Sequence, residues 1–171
     1  RTSTFFYPYP IVLASGDGCS VVDVDGNEYI DFHNCYTAAI HGHAYAPVVR
    51  AAREVMSRIG VSVGAPTDCI APWAAHLCRR VASLERIRFC NSGTEAVMMA
   101  VRTSRAFTKK DRILKIEGGY NGSYDPVVHP PDASGLARRT PSEQISVPFN
   151  DEDAFDRAVT GHKDDLACVL I

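Results

Sequence analysis

Three segments in the second half of the chain follow the order strand, helix, strand, which restricts the possible folds more than any other feature. Residues 86–90 (RIRFC) are typical of a strand, residues 94–107 of a helix, and residues 112–116 (RILKI) of a second strand. A helical connection of this kind joins neighbouring parallel strands. The order therefore predicts an α/β fold with a parallel sheet. The uniformly apolar residues 166–171 (LACVLI) predict a further strand, buried on both faces of that sheet.

The first part of the chain has two strand-like segments around a short turn, which predict a small antiparallel unit. Residues 21–24 and 28–32 flank Asp25-Gly26-Asn27, and strands around an Asp-Gly pair indicate a β-hairpin. Apolar spacing then predicts a helix over residues 47–59 and a second helix from about residue 67. The inward face predicted for the second helix comprises Trp73, Leu77, Val81 and Leu84.

Composition excludes several classes of function. The chain has 171 residues, of which 46% are apolar and 22% charged, with a net charge of −2. This balance is ordinary for a globular protein and argues against nucleic acid as a partner. Six cysteines occur without any C-x-x-C pair, the N-terminus lacks the features of a signal peptide, and no apolar run could span a membrane. We therefore expect a soluble, cytoplasmic protein with no membrane partner.

Two loops that follow predicted strands carry residues suited to binding a ligand. Ser92, Gly93 and Thr94 open the helix at 94–107, where free N–H groups and hydroxyls suit a phosphate. The alternative is that Ser92 and Glu95 form only a local capping box. Tyr120 follows the strand at 112–116, and parallel strands present their carboxyl ends to ligands. The alternative there is a Gly-rich turn whose tyrosine merely packs on a neighbour.

Other patterns carry less weight. His41-Gly42-His43 lacks the spacing of a zinc site, so structural histidines are the favoured interpretation and no metal is expected. The absence of a G-x-S-x-G elbow argues against a serine hydrolase. Residues 129–144 hold three prolines and predict a long surface loop, a type that is often a functional lid. Residues 151–159 predict a short capped helix.

Five motifs occur in a fixed order along nearly the whole chain. They are Asp23-Val24-Asp25-Gly26-Asn27-Glu28-Tyr29-Ile30-Asp31, Gly42-His43-Ala44, Gly64-Ala65-Pro66-Thr67, Arg88-Phe89-Cys90-Asn91-Ser92-Gly93-Thr94-Glu95-Ala96 and Lys115-Ile116-Glu117-Gly118-Gly119-Tyr120. In this order they resemble the class III aminotransferases, most of all the glutamate-1-semialdehyde aminomutase branch.

The resemblance implies a fold, a cofactor and a set of site residues. The fold is that of fold type I transferases dependent on pyridoxal 5'-phosphate (PLP), with a small-domain segment at residues 1–46 and part of the large α/β domain at 47–171. Such proteins are homodimers. Ser92, Gly93 and Thr94 match the segment that holds the PLP phosphate, and Tyr120 matches the residue that stacks on the pyridine ring. The substrate-facing residues implied by the resemblance are Asn34, Tyr36 and Asn121.

The activity implied is transfer of an amino group between small-molecule donors and acceptors, by a Schiff-base, ping-pong mechanism on an amino acid or related amine. The alternatives are a glutamate-1-semialdehyde 2,1-aminomutase, which moves the group within one molecule, and a non-catalytic PLP-binding or structural fragment. Asn121 stands where aminomutases commonly have histidine.

The catalytic lysine is a separate question. The family's Schiff-base lysine and the aspartate that pairs with the pyridine nitrogen are expected beyond Ile171, so the polypeptide is expected to be incomplete and inactive alone. We also expect none of its lysines to have the lowered pKa and the reach that a Schiff base requires. Those lysines are Lys109, Lys110, Lys115 and Lys163.

Overall fold

A computed structural model describes residues 10–128, 135–137 and 143–171. The chain divides into two compact units, the first ending at His76 and the second beginning at Leu77. The division between small and large domains that the resemblance places at residues 46 and 47 stays a prediction.

The first unit contains a three-stranded antiparallel sheet. Its strands are β1 (Leu13–Asp17), β2 (Ser20–Asp23) and β3 (Glu28–Ile30), in the order β1-β2-β3. The pairing of β2 with β3 confirms the predicted hairpin, although β2 lies one residue earlier than the sequence pattern indicated and β3 is two residues shorter. The strand β1 was not predicted, because its residues LASGD lack the alternation that marks a strand.

The carboxylate of Asp23 shapes the hairpin turn. One of its oxygens accepts hydrogen bonds from the backbone N–H groups of Asp25, at 3.0 Å, and Asn27, at 2.8 Å. The other accepts from the hydroxyl of Tyr29, at 2.9 Å. These bonds satisfy a buried charge and lower the pKa of Asp23, the bond from the Asn27 side chain contributing most. The turn thus depends on a residue of the strand before it.

Two helices follow the sheet. Helix α1 (Ala46–Ile59) ends at Gly60, whose φ of 86° suits glycine, and helix α2 covers Ile70–Arg80. The predicted helices are confirmed, but the expectation that the second carries its apolar face inward is wrong for this chain. Trp73 is 53% exposed, and neither helix contains a buried residue. Periodicity identifies the apolar face of a helix but not what covers it.

The second unit is built around a parallel sheet with the order β5-β4-β6, and β4 pairs in parallel with both neighbours. The predicted parallel sheet is therefore confirmed. Val101 of the long helix, Ile113 of β4 and Val127 form the buried core. The elements of this unit are α3 (Gly93–Thr108), β4 (Arg112–Ile116), a 3₁₀ helix (Asp125–Val127), β5 (Gln144–Val147), α4 (Glu152–Gly161) and β6 (Leu166–Leu170).

One strand prediction is wrong and another is only partly right. Residues 86–90 form no strand and pair with none in the described part of the chain. The segment 166–171 does form β6, but at the edge of the sheet, where its residues are mostly half-buried and Ile171 is exposed. The strand buried on both faces is β4.

The region predicted as a long loop is only partly visible. Residues 129–134 and 138–142 of the predicted loop lie outside the described residues. The loop prediction overran at its end, because Gln144 begins β5. Helix α4 confirms the predicted short helix, and Asp151 caps it by accepting a hydrogen bond from the N–H of Ala154 at 2.8 Å.

Candidate functional site

The loop that opens α3 and the turn that follows β4 are held together at Thr94. The backbone N–H of Ser123 donates to the Thr94 hydroxyl oxygen, at 3.2 Å. Gly122 has a φ of 107°, and a Cβ added to it would lie 2.9 Å from the Thr94 Cα, closer than real Cβ atoms come. Glycine is therefore required at 122 for both backbone and packing reasons. The two strand ends that the sequence singled out do meet.

The start of α3 forms the local capping arrangement that was weighed as the alternative. The Ser92 hydroxyl accepts from the N–H of Glu95 at 3.2 Å, and the Glu95 carboxylate accepts from the N–H of Asn91 at 2.7 Å. This arrangement does not use the N–H groups of Gly93 and Thr94, which lie in the first helical turn, where no earlier carbonyl of the helix can accept them. Capping and anion binding are therefore compatible here.

The space in front of this helix start is open. A Cβ added to Gly93 would meet no heavy atom within 4 Å. The Thr94 hydroxyl already accepts the hydrogen bond from Ser123, so its own hydrogen remains to be donated. Backbone N–H groups, a helix N-terminus and a hydroxyl donor form a suitable set for a phosphate group.

Tyr120 lies in the turn directly after β4. The residue is 63% exposed, and its hydroxyl lies 3.1 Å from the Ser123 Oγ. The turn is tight, since Gly119 donates its N–H to the Ile116 carbonyl at 3.1 Å and Gly118 has a φ of 73°. An accessible aromatic face at a strand end is suited to stacking against a planar ring.

Asn121 has an unusual polar environment. Its side-chain Oδ1 is buried, and no hydrogen-bond partner for it is found among the described residues. A buried acceptor without a partner costs free energy, so such an atom indicates a ligand or a further group that would satisfy it. This agrees with, but does not test, the expectation that Asn121 faces a substrate.

Asn34 and Tyr36 lie in the first unit, in a backbone conformation that the sequence did not predict. Residues 34–37 are four consecutive non-glycine residues with φ of 49°, 52°, 55° and 67°. A left-handed conformation costs about 1–2 kcal/mol for each such residue. Asp31 offsets part of this cost, because its Oδ1 accepts from the N–H groups of His33, at 3.0 Å, and Asn34, at 2.9 Å. The spacing of Asp31 and Asn34 was the available signal.

The two histidines considered as metal ligands have structural contacts. His43 Nε2 lies 2.7 Å from Asp31 Oδ2, and His41 stacks on Tyr45 with 4.9 Å between ring centroids. The bond to His43, followed by that from the Asn34 N–H, lowers the pKa of Asp31. Within residues 10–128, 135–137 and 143–171, no group of three or more His, Cys, Asp or Glu side chains could hold a metal ion.

Lys115 is the buried one of the four lysines. It is fully buried in β4, its Nζ donates to the Val127 carbonyl, and desolvation lowers its pKa. Its burial follows from its place in a strand that is covered on both faces. The expectation that none of the four lysines combines a lowered pKa with the reach of a Schiff-base lysine stays a prediction. Lys110, by contrast, reaches across a loop to donate to the Lys163 carbonyl.

The chain matches known proteins over nearly its whole length. The family model described as aminotransferase class-III matches residues 6–162. A glutamate-1-semialdehyde 2,1-aminomutase from Methanothermobacter thermautotrophicus is 42% identical over 97% of this chain and 41% of its own length. The structure of an omega-transaminase from Sphaerobacter thermophilus is 40% identical, with a TM-score of 0.90 over 100% of this chain and 42% of that one. A transaminase with PLP bound is 42% identical, with a TM-score of 0.89 over 100% of this chain and 42% of that chain.

The fold and the match over residues 6–162 define the class: the chain belongs to the class III aminotransferase family. It spans about two fifths of the length of the relatives it matches. The structural similarity also confirms the predicted fold, that of PLP-dependent transaminases. None of the helices in the described residues is long and apolar enough to cross a membrane.

Proposed function

We propose that this chain is the phosphate-holding part of a PLP-dependent enzyme that transfers amino groups. The observation that carries the proposal is the junction at Thr94, where an open helix start and an exposed tyrosine turn are tied together by the bond from Ser123. The transaminase with PLP bound, 42% identical over the whole chain, supports the choice of cofactor. Family membership supports the class of reaction.

Each residue of the junction has a binding role in this proposal. The N–H groups of Gly93 and Thr94 and the Thr94 hydroxyl hold the cofactor phosphate at the positive end of α3. The Ser92 hydroxyl accepts from Glu95 N–H and can donate its own hydrogen to the same phosphate. Tyr120 lies against the pyridine ring. Asn34, Tyr36 and Asn121 face the substrate, as the resemblance implies.

When bound, PLP supplies an electron sink for carbanion chemistry at the substrate amine. The residues of this chain contribute orientation, because a ring fixed at its phosphate and along one face cannot rotate away from the reacting groups. We propose that the Schiff-base lysine lies outside residues 1–171. Lys115 is buried and its Nζ is engaged by the Val127 carbonyl, which supports this view.

Borohydride trapping tests the position of that lysine. The full-length protein is reduced in the presence of PLP and mapped by peptide mass spectrometry. We expect a single stoichiometric label on a lysine other than Lys109, Lys110, Lys115 and Lys163. A stoichiometric label on one of these four, lost when that residue is changed to methionine, would place the Schiff base within this chain instead.

Transamination between two molecules is the activity we propose, with intramolecular transfer as the second candidate. The relatives named above do not decide between them, because the aminomutase and the two transaminases are all 40–42% identical to this chain. Asn121 favours transamination, since it departs from the histidine common in aminomutases at this position. This departure bears on substrate choice and leaves the phosphate site unchanged.

An isotope experiment separates the two candidates. An amino donor labelled with ¹⁵N is incubated with the PLP-loaded full-length protein and an unlabelled keto or aldehyde acceptor. Transamination places ¹⁵N on the carbon skeleton of the acceptor and converts the donor into a carbonyl compound. An aminomutase gives an isomer of its substrate, with an amino group on the neighbouring carbon and no separate deaminated product. PLP binding without movement of ¹⁵N in any donor and acceptor pair would support the non-catalytic alternative.

Two further predictions accompany the proposal. We propose that the protein acts as a homodimer, which light scattering of the full-length protein can test. We also propose a cytoplasmic location, which fractionation of the source cells can test.

A further inference from the structure

The turn at residues 34–37 has a backbone conformation that is energetically unfavourable for each of its four residues. All four have left-handed φ values, and none is glycine. The opposition is strongest at Thr37, whose φ is 67°, because a β-branched side chain crowds the backbone in this region. Such conformations persist only where the surrounding structure imposes them, and they are concentrated at functional sites.

Asp31 imposes this conformation from one side. Its Oδ1 accepts from the two N–H groups that start the turn, those of His33 and Asn34, and its Oδ2 lies 2.7 Å from His43 Nε2. The backbone N–H of Asp31 itself donates to the Cys19 carbonyl, at 2.8 Å. Asp31 therefore links the turn to the sheet and to His43 at once.

His43 is itself fixed in place. Its backbone exchanges two hydrogen bonds with Gly18, of 2.8 and 3.0 Å. Its ring lies on Gly16, where an added Cβ would come within 2.8 Å of the His43 Cγ. The histidine ring thus occupies space that any other residue at position 16 would take. The connection between β1 and β2 provides a rigid base for the pair formed by Asp31 and His43.

We propose that Asp31 and His43 are positioning residues that hold the left-handed turn 34–37, and so set the orientation of Asn34 and Tyr36 for selection of the amino substrate. This inference rests on the proposed function and deepens it. Neither Asp31 nor His43 takes part in the chemistry. Their role is to keep a strained, substrate-selecting turn in one geometry.

The proposal requires hydrogen bonds and not charge, so two variants of Asp31 should differ. Asp31→Ala removes every bond to the turn. Asp31→Asn retains an acceptor for the N–H groups of His33 and Asn34 and keeps a polar group opposite His43 Nε2. In the PLP-loaded full-length protein, we expect Asp31→Ala to raise KM for the amino donor about tenfold, the effect of losing one hydrogen bond to a charged group, and to change kcat much less. Asp31→Asn should have a KM close to that of the wild type.

A glycine at position 37 supplies a second, independent test. Thr37→Gly relieves the backbone strain that Asp31 offsets, so the double variant Asp31→Ala with Thr37→Gly should have a lower KM than Asp31→Ala alone. Thr37→Gly by itself should leave KM close to that of the wild type. The matched control is Asp25→Ala, an exposed aspartate in the hairpin turn of the same unit, which should change neither kinetic constant.

Amide hydrogen exchange gives a readout that does not depend on activity. In Asp31→Ala we expect faster exchange at His33 and Asn34, with the exchange in β4 of the second unit unchanged. Unchanged KM in Asp31→Ala, or a loss that neither asparagine nor the Thr37→Gly change restores, would overturn this inference while leaving the proposed function intact. No amino transfer by the wild-type protein with any donor would overturn both.

Discussion

Gly122 lies directly against Thr94, so that a carbon at the Cβ position of the glycine would be 2.9 Å from both the Cα and the Oγ1 of the threonine. The next residue, Ser123, donates its N–H to the same oxygen. Thr94, at the start of α3, thus packs against Gly122 and also accepts a hydrogen bond from Ser123 in the turn after β4. A displacement of either loop must displace the other, which couples the proposed phosphate site to the proposed stacking residue.

The change Gly122→Ala tests this coupling. The added methyl group collides with Thr94, and we expect weaker PLP binding because the helix start and the tyrosine turn separate. Gly118→Ala is the matched control, since Gly118 also has a left-handed φ, of 73°, but an added Cβ there meets nothing within 4 Å. PLP titration of both variants distinguishes the collision from backbone strain alone. Equal PLP affinities in the two variants would show that the contact with Thr94 has no role.

The helix start, β4 and the parallel character of the sheet were predictable because their signals are local. Apolar spacing defines α3, and Ser92 and Glu95 mark its beginning within four residues. The absence of residues 86–90 from the sheet was not predictable in this way. Which segments pair with one another depends on the strand order, and strand order is a property of the whole sheet.

The candidate site shows the same division. The types of residue at Gly93, Thr94 and Tyr120 were visible in the sequence, and the structure brings these two loops together. The left-handed turn at residues 34–37 had only the spacing of Asp31 and Asn34 as a signal, because cysteine, tyrosine and threonine have no preference for positive φ. Its N–H groups at His33 and Asn34 donate to Asp31, which contacts His43, twelve residues further along the chain.

Gly93→Val tests the phosphate role directly. The backbone at Gly93 is not left-handed and the space beside it is open, so valine should fold without a collision. We expect PLP affinity to fall about tenfold or more, because a bulky side chain blocks the anion from N–H groups that would each contribute about 1.5–3 kcal/mol. Gly161→Val in α4, also in open space, is the control and should bind PLP normally. Undiminished affinity in Gly93→Val, measured by fluorescence titration, would contradict the role.

Two substitutions of Tyr120 separate its ring from its hydroxyl. Tyr120→Phe keeps the aromatic face and should keep most of the PLP affinity. Tyr120→Ala should lose on the order of 1 kcal/mol of binding free energy through the lost ring contact. Because the hydroxyl lies 3.1 Å from the Ser123 Oγ, Ser123→Ala is the matched control for the polar interaction and should resemble Tyr120→Phe. Indistinguishable affinities for the phenylalanine and alanine variants would exclude stacking.

The buried amine of Lys115 predicts a dependence of stability on pH. Desolvation lowers the pKa of Lys115 in the folded protein, whereas the unfolded chain restores the ordinary value of about 10.4. Between these two pKa values the unfolded state binds more protons than the folded state, so the free energy of unfolding must rise as the pH increases. Below the folded pKa both states carry the proton, and this contribution no longer changes.

Lys115→Met tests this dependence, because methionine fills similar space without a titrating group. We expect the wild-type free energy of unfolding, measured by urea denaturation, to rise towards pH 10 and the rise to be smaller in Lys115→Met. The variant also loses the bond to the Val127 carbonyl, a cost that is present at every pH and does not alter the slope. Lys163→Met, at an exposed position, is the control and should retain the wild-type slope. Equal slopes in wild type and Lys115→Met would mean that the Lys115 amine is not held in a desolvated environment.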